Sequence, residues 1–363
     1  MNPKLATECA RLVVVGFPST EVDAELSSLI RVGVGGAILF RRNIESFEQA
    51  RDLCAGLKSD AARPFVLSVD QEGGRVARLR GEPFTALPSM RALAAKNDVS
   101  LAERVGRLLA YELRAVGFDW DFAPVLDVDS NPKNPVIGDR AFADTPERVS
   151  EFGIALARGL EAGGVASCGK HFPGHGDASQ DSHLVLPRLP HALDRLRRVE
   201  LPPFAAYAKA RLASLMTAHV VFDALDPRFP ATMSAPVLRI LREELGFSGV
   251  LVSDDLEMKA VASHFPIEDA IVMGINAGID VFLICHHADV QMRAIEALVH
   301  AVEDGRVPRA RLVEAHARFS ALIGKFVQPA DSARAALGSP QHRELAFGLG
   351  ATEAGRDPTE VLV

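Results

Sequence analysis

The segment Lys170-His171-Phe-Pro-Gly-His175-Gly-Asp177-Ala-Ser-Gln-Asp181-Ser-His183 places three histidines, two aspartates and a lysine within fourteen positions. Ionisable side chains at that density belong to sites that move protons or hold ions. Pro173, Gly174 and Gly176 argue against a helix there. The small, apolar run Gly164-Val-Ala-Ser-Cys-Gly169 just before them reads as a buried strand. The reactive groups therefore begin where a strand emerges, which is where α/β barrels and open α/β sheets place their chemistry. Two chemistries fit. His171, His175, Asp177, Asp181 and His183 could ligate a metal, although a catalytic metal is usually gripped from several rigid strands rather than from one glycine-containing loop. Alternatively Asp181 and His183, two apart, form a dyad in which the carboxylate orients the imidazole and supports its protonated form. The crowding favours the dyad over the metal, and both over a purely structural loop.

Other segments carry related signals. Asp70-Gln-Glu-Gly-Gly-Arg75-Val-Ala-Arg78 sets an acid, two glycines and two arginines behind an apolar run. The plain alternative is a helix-entry turn with a solvated face. A polar-ligand clamp is the stronger reading, since Asp can accept two sugar hydroxyls while Arg offers a planar fork of donors. Arg140, in Ile137-Gly-Asp-Arg140-Ala-Phe142, gains weight only beside these loops, because a lone loop arginine is more often simply exposed. Val250-Leu-Val-Ser-Asp254-Asp255-Leu-Glu-Met258 runs an apolar strand straight into two acids. Adjacent strand residues face opposite sides, so only one of the pair is expected to enter a barrel mouth. Asp255 suits a helix N-cap, and Asp254 suits a nucleophile at a strand tip.

These residues need a scaffold, and the hydrophobic pattern supplies one. Short apolar runs span 12–17, 35–40, 64–70, 118–124, 165–170, 213–219, 249–254 and 280–285. Segments with helical spacing lie between them, at 21–32, 46–57, 101–116, 146–162 and 290–302. Eight strands alternating with helices predict the α/β class and a (β/α)8 TIM-type barrel. Its strand ends carry Asp70, Asp121, Lys170, His219, Asp254 and His286, so function is expected on that rim. Residues 1–327 form the expected single catalytic barrel, with a last helix at 309–326. Residues 328–363, rich in Ala, Gly and Pro, make a short C-terminal extension, expected to pack as a helix near 340–349 and then to fray.

Composition narrows the function. The chain of 363 residues has 48% hydrophobic and 24% charged residues and a mean hydropathy of +0.11, as a globular protein does. No run of about 18 apolar residues appears, and the N-terminus does not read as a secretory signal, so a cytoplasmic location is expected. A net charge of −7 and a pI near 5.9 disfavour nucleic acid and anionic membrane as partners. Cys9, Cys54, Cys168 and Cys285 lack ligand spacing and read as buried thiols. A small-molecule ligand remains, with the oligomeric state open.

Together Asp70-Gln-Glu-Gly-Gly-Arg, Lys170-His171-Phe-Pro-Gly-His-Gly-Asp, Asp181-Ser-His183, Met216-Thr-Ala-His219 and Ser253-Asp254-Asp255-Leu-Glu-Met258 resemble glycoside hydrolase family 3, from about residue 10 to 325. Within it they look most like the single-domain bacterial β-N-acetylglucosaminidases of cell-wall recycling. The resemblance implies that Asp254 is the nucleophile, His183 the acid/base and Asp181 its partner. It also implies that Asp70, Arg78, Arg140, Lys170 and His171 hold the N-acetylglucosamine ring. Ala178 departs from the Thr that related sequences often carry, without touching a proposed catalytic group. The implied reaction is retaining exo-hydrolysis of muropeptide-type carbohydrates, with no cofactor and no metal. A glycosyl phosphorylase of the same family, a metal-dependent barrel hydrolase and a non-catalytic sugar-binding protein are the alternatives.

Overall fold

The structure, a computed structural model, describes residues 2–178, 185–327, 337–349 and 357–359. Eight parallel strands close into a barrel in chain order: β1 (Val13–Val15), β2 (Gly36–Leu39), β3 (Val66–Val69), β4 (Trp120–Asp121), β5 (Ala166–Phe172), β6 (Ser214–Thr217), β7 (Val250–Asp255) and β8 (Val281–Ile284). Closure is made by β1, which pairs Val14 with Gly36 of β2 and Val13 with Phe282 of β8. All eight expected strands are present, and the (β/α)8 expectation holds.

Side-chain alternation along each strand divides the core in two. Val14, Ile38, Val66, Trp120, Val252 and Leu283 point inward and pack together, while Val13, Val15, Ala37, Leu39 and Leu67 pack outward against the helices. Trp120 satisfies its buried indole N–H by donating to Ser214 Oγ at 2.8 Å. The helix Arg309–Phe326 sends Phe319, Leu322, Ile323 and Phe326 into the inner cluster.

The helices at 24–32, 47–60, 99–116, 146–162, 288–303, 309–326 and 340–349 match the spacing read from the sequence to within three residues at each end. Others were not expected, among them Leu201–Lys209, whose prolines sit in its first turn where no intrahelical N–H is lost. The helix-entry turn, the weaker alternative to the clamp after β3, is not formed: Gln71–Gly73 and Val76–Ala77 pair as an antiparallel hairpin, with Gly73 and Gly74 at φ +95° and +57° in its turn. The helix Pro340–Leu349 lies beside Val99–Val116, where His342 meets the edge of Tyr111.

Candidate functional site

Asp70, Arg78, Arg140, Lys170, His171 and Asp254 line one cavity of about 300 Å³ at the carboxyl ends of the strands. Asp181 and His183 lie outside the described residues. Six of the eight residues to which the resemblance gives a catalytic or ring-holding role are thus brought together, although up to 184 positions separate them in the chain.

Two backbone irregularities put them there. β5 extends past Lys170 to Phe172, and its register against β6 slips between Gly169 and Phe172. A regular strand would turn Lys170 and His171 to opposite faces, whereas here both reach the cavity. The Lys170–His171 peptide bond is cis. β7 slips against β8 between Val252 and Asp255, and both Asp254 and Asp255 reach the cavity wall, correcting the expectation that only one would. They differ in environment. Asp254 is partly exposed and accepts the Asp255 N–H at 2.9 Å. Asp255 accepts the N–H groups of Glu257 and Cys285, each at 3.1 Å, and faces His286 Nε2 at 3.1 Å. It is not a helix cap, because the next helix, Lys259–Ala262, starts after Met258.

A charge cluster floors the cavity. Lys170 Nζ donates to Asp70 Oδ1 and stands 2.7 Å from Glu72 Oε1. Arg140 grips Glu72 in bidentate fashion, Nε to Oε2 and Nη2 to Oε1, both at 2.8 Å. Burial alone would push the Glu72 carboxyl up, but the Arg140 guanidinium and the Lys170 ammonium outweigh it and hold the group far below the usual carboxylate range. Burial likewise opposes the charge on Lys170, and Asp70 and Glu72 reverse the effect, raising its pKa above that of an ordinary lysine. The cluster is therefore a set of fixed charges rather than a proton relay. Arg75, expected beside Arg78 in the clamp, instead pairs with Asp139 at 2.7 Å and steadies the turn that carries Arg140.

Behind His171 stands Asp127. Its Oδ2 meets His171 Nδ1 at 2.7 Å, and its Oδ1 accepts the His175 N–H at 2.7 Å. Burial pushes this carboxyl up, and the neighbouring His171 more than offsets it, leaving it below the usual range. Asn134 ties down the backbone beyond by donating to the carbonyls of His175 and Gly176 at 2.8 and 3.0 Å. Gly176 is required there, because a Cβ would lie 1.7 Å from the Val128 carbonyl oxygen. Asp177 turns out of the cavity to His191 and Ser130.

Two strand-tip groups expected on the rim are structural. Asp121 accepts the Gln71 N–H at 2.9 Å and is fully buried, which pushes its carboxyl well above the usual range. His219 lies under β7: Nε2–H donates to the Asp255 carbonyl at 2.9 Å, and Nδ1 accepts from Thr232 Oγ1 at 2.8 Å. Burial pushes its pKa down, in keeping with a neutral ring. Glu72 and Asp127 were not singled out from the sequence. The signal for Asp127 is an acid set among apolar neighbours, and that for Glu72 is its place inside the Asp70-Gln-Glu-Gly-Gly-Arg motif.

Among the described residues, no three His, Cys, Asp or Glu side chains come together as a metal-ligand set. Two of the proposed ligands, Asp181 and His183, lie outside those residues. All four cysteines are buried and free, and burial pushes the Cys9, Cys54 and Cys168 thiols up to about 12.

Residues 4–322 match the Glycosyl hydrolase family 3 N terminal domain. The chain is 38% identical to Beta-hexosaminidase A of Pseudoalteromonas piscicida over 357 residues, covering 90% of this chain but only 60% of that protein. It is 43% identical to a Beta-hexosaminidase of Neisseria meningitidis serogroup C over 284 residues, 76% of this chain and 77% of the other. The structure of a glycoside hydrolase family 3 β-N-acetylglucosaminidase from Paenibacillus sp. str. FPU-7 superposes with a TM-score of 0.91 at 39% identity, over 95% of this chain and 68% of that one.

Proposed function

We propose that this chain, which belongs to glycosyl hydrolase family 3 and is a glycoside hydrolase, removes terminal β-linked N-acetylglucosamine with retention of configuration. One observation carries the reading. Asp254 is a partly exposed carboxylate at a strand tip, in the same cavity as fixed hydroxyl-binding groups: Asp70, Lys170, Arg140 and Arg78. A nucleophile must meet the anomeric carbon, and the fixed charges must hold the ring while it does.

In the first step a carboxylate oxygen of Asp254 attacks the anomeric carbon. The glycosidic bond breaks, and His183 gives its proton to the departing oxygen. In the second step His183 takes a proton from water, the water oxygen attacks the same carbon, and Asp254 leaves as a carboxylate. Asp181 orients the imidazole and supports its charged form. The roles of His183 and Asp181 rest on the family motif. Asp70 offers lone pairs to ring hydroxyls, since each of its oxygens has a single cation beside it. Muropeptides are the substrate that kinship suggests. A cytoplasmic location belongs to the same reading, supported by four unpaired cysteines, which suit a reducing compartment.

A 5-fluoro sugar of the N-acetylglucosamine series, which keeps the 2-acetamido group, should label Asp254, as read by peptide mass spectrometry. A label on Asp255, or full activity in Asp254→Asn, would show that the wrong acid was chosen. Product analysis with and without phosphate separates hydrolysis from phosphorolysis.

A further inference from the structure

Residues 357–359, Asp357-Pro358-Thr359, reach back onto the site from the far end of the chain. Arg78 donates through Nη1 to Asp357 Oδ2 and through Nη2 to Thr359 Oγ1 at 2.8 Å. Asp357 Oδ1 in turn accepts the Thr359 N–H at 2.8 Å and the Thr359 hydroxyl at 2.6 Å. The directions close into a ring, in which the single hydroxyl proton of Thr359 goes to Asp357 and its oxygen takes the guanidinium N–H. The side chains of Arg78 and Asp357 are each 1% exposed. A buried ion pair persists only when its geometry and further hydrogen bonds repay the lost hydration, and this one has both.

We propose that Asp357 and Thr359 complete the sugar site, Asp357 as the positioning residue that sets the Arg78 fork and Thr359 as a wall of the cavity. The inference rests on the N-acetylglucosaminidase reading above. The seated segment is a wall and not a plug: with Thr359 in the lining, the cavity keeps its 300 Å³, and Asp70, Arg140, Lys170 and Asp254 all still face it. Asp357 also draws Arg78 off the neighbouring acid. Arg78 Nη2 stands 3.3 Å from Asp70 Oδ2, a long contact for a charged pair, while Lys170 takes the other Asp70 oxygen at 2.7 Å. Without Asp357 the guanidinium would close onto Asp70 and take the lone pairs that a sugar hydroxyl needs.

The test uses the full chain and release of chromophore from an aryl N-acetyl-β-glucosaminide. Asp357→Ala should raise KM by about tenfold, which is about 1.4 kcal/mol of binding, with kcat held within about threefold. The inhibition constant for free N-acetylglucosamine should rise in parallel. Thr359→Val, which keeps the shape and loses the hydroxyl, should raise KM several-fold, and Thr359→Ser, which keeps the hydroxyl and loses only a methyl from the cavity wall, should raise it less than Thr359→Val does. These last two variants keep the test decisive should Asp357→Ala fail to fold. An unchanged KM in Asp357→Ala and Thr359→Val, a fall in kcat alone, or a gain in activity, as removal of an obstruction would give, overturns the proposal. If the wild type neither cleaves the glycoside nor binds N-acetylglucosamine, the functional reading and this inference fall together. If the wild type cleaves it and the variants match the wild type, only the inference falls.

Discussion

Glu72→Gln isolates the electrostatics of the site from its chemistry. Glu72 is 1% exposed and takes three charge-assisted contacts, two from Arg140 and one from Lys170. Removing one partner of a buried ion pair costs about 3–5 kcal/mol. Part of that is recovered, because Lys170 keeps Asp70 at 2.7 Å, Arg140 keeps the Val136 carbonyl at 3.3 Å, and Gln retains one acceptor oxygen. The new amide N–H groups, however, face donors. The expected loss is therefore near the lower bound, about 3 kcal/mol, a large share of a typical stability of 5–15 kcal/mol. The pH dependence sharpens the test. The folded carboxyl is held far below its unfolded value of about 4.3, so its contribution is complete above that value and is lost as pH falls toward the folded one. Urea unfolding should show a constant gap between wild type and Glu72→Gln from pH 8 to 5, shrinking below about pH 4.3 by up to about 1.4 kcal/mol per pH unit. A gap under about 1 kcal/mol at neutral pH, or one that already changes between pH 8 and 6, would refute the charge-cluster argument.

Three further outcomes follow from the same geometry. Gly176→Ala must push the backbone off the Val128 carbonyl and loosen the Asn134 contacts, so activity should fall at least about tenfold with a much smaller effect on Tm. Full activity would mean that the backbone leading toward His183 need not be held there. His219→Gln should remove one proton from the pH dependence of stability. Burial lowers the folded pKa of His219, so its contribution is present above the unfolded value of about 6.5 and is lost as pH falls below it, by up to about 1.4 kcal/mol per pH unit. The gap between wild type and variant in urea unfolding should narrow from pH 7 to 5, and a gap that stays constant would contradict a ring kept neutral by burial. Prolonged EDTA should leave turnover unchanged, because the proposed steps run on a carboxylate and an imidazole. Activity that disappears with a stoichiometric metal and returns with it would favour the metal-dependent alternative.

The barrel and most of the candidate site were legible in the sequence because both are written locally. A short apolar run that ends in a polar residue is what a barrel strand and its active tip look like along the chain, and Asp70, Lys170 and Asp254 were found that way. The same signature also picked out Asp121 and His219, which serve the scaffold. Nothing local separates the two kinds, since the difference lies in what faces each group across the fold: the Gln71 N–H for Asp121, the Asp255 carbonyl and Thr232 for His219. Period-two alternation failed at Lys170–His171 and at Asp254–Asp255 because both pairs fall where strand register slips, a property of two strands together rather than of either sequence. The partners were hidden for the same reason. Glu72 meets Arg140 from 68 positions away, Asp127 meets His171 from 44, and Asp357 meets Arg78 from 279. A side chain's type says what it could do, but whether its charge is free to meet a substrate or already held by a distant partner is settled only by packing. Arg78 shows how much rests on that distinction: its sequence neighbours give no sign that Asp357 holds its guanidinium from 279 positions away while Asp70 stands 3.3 Å from it.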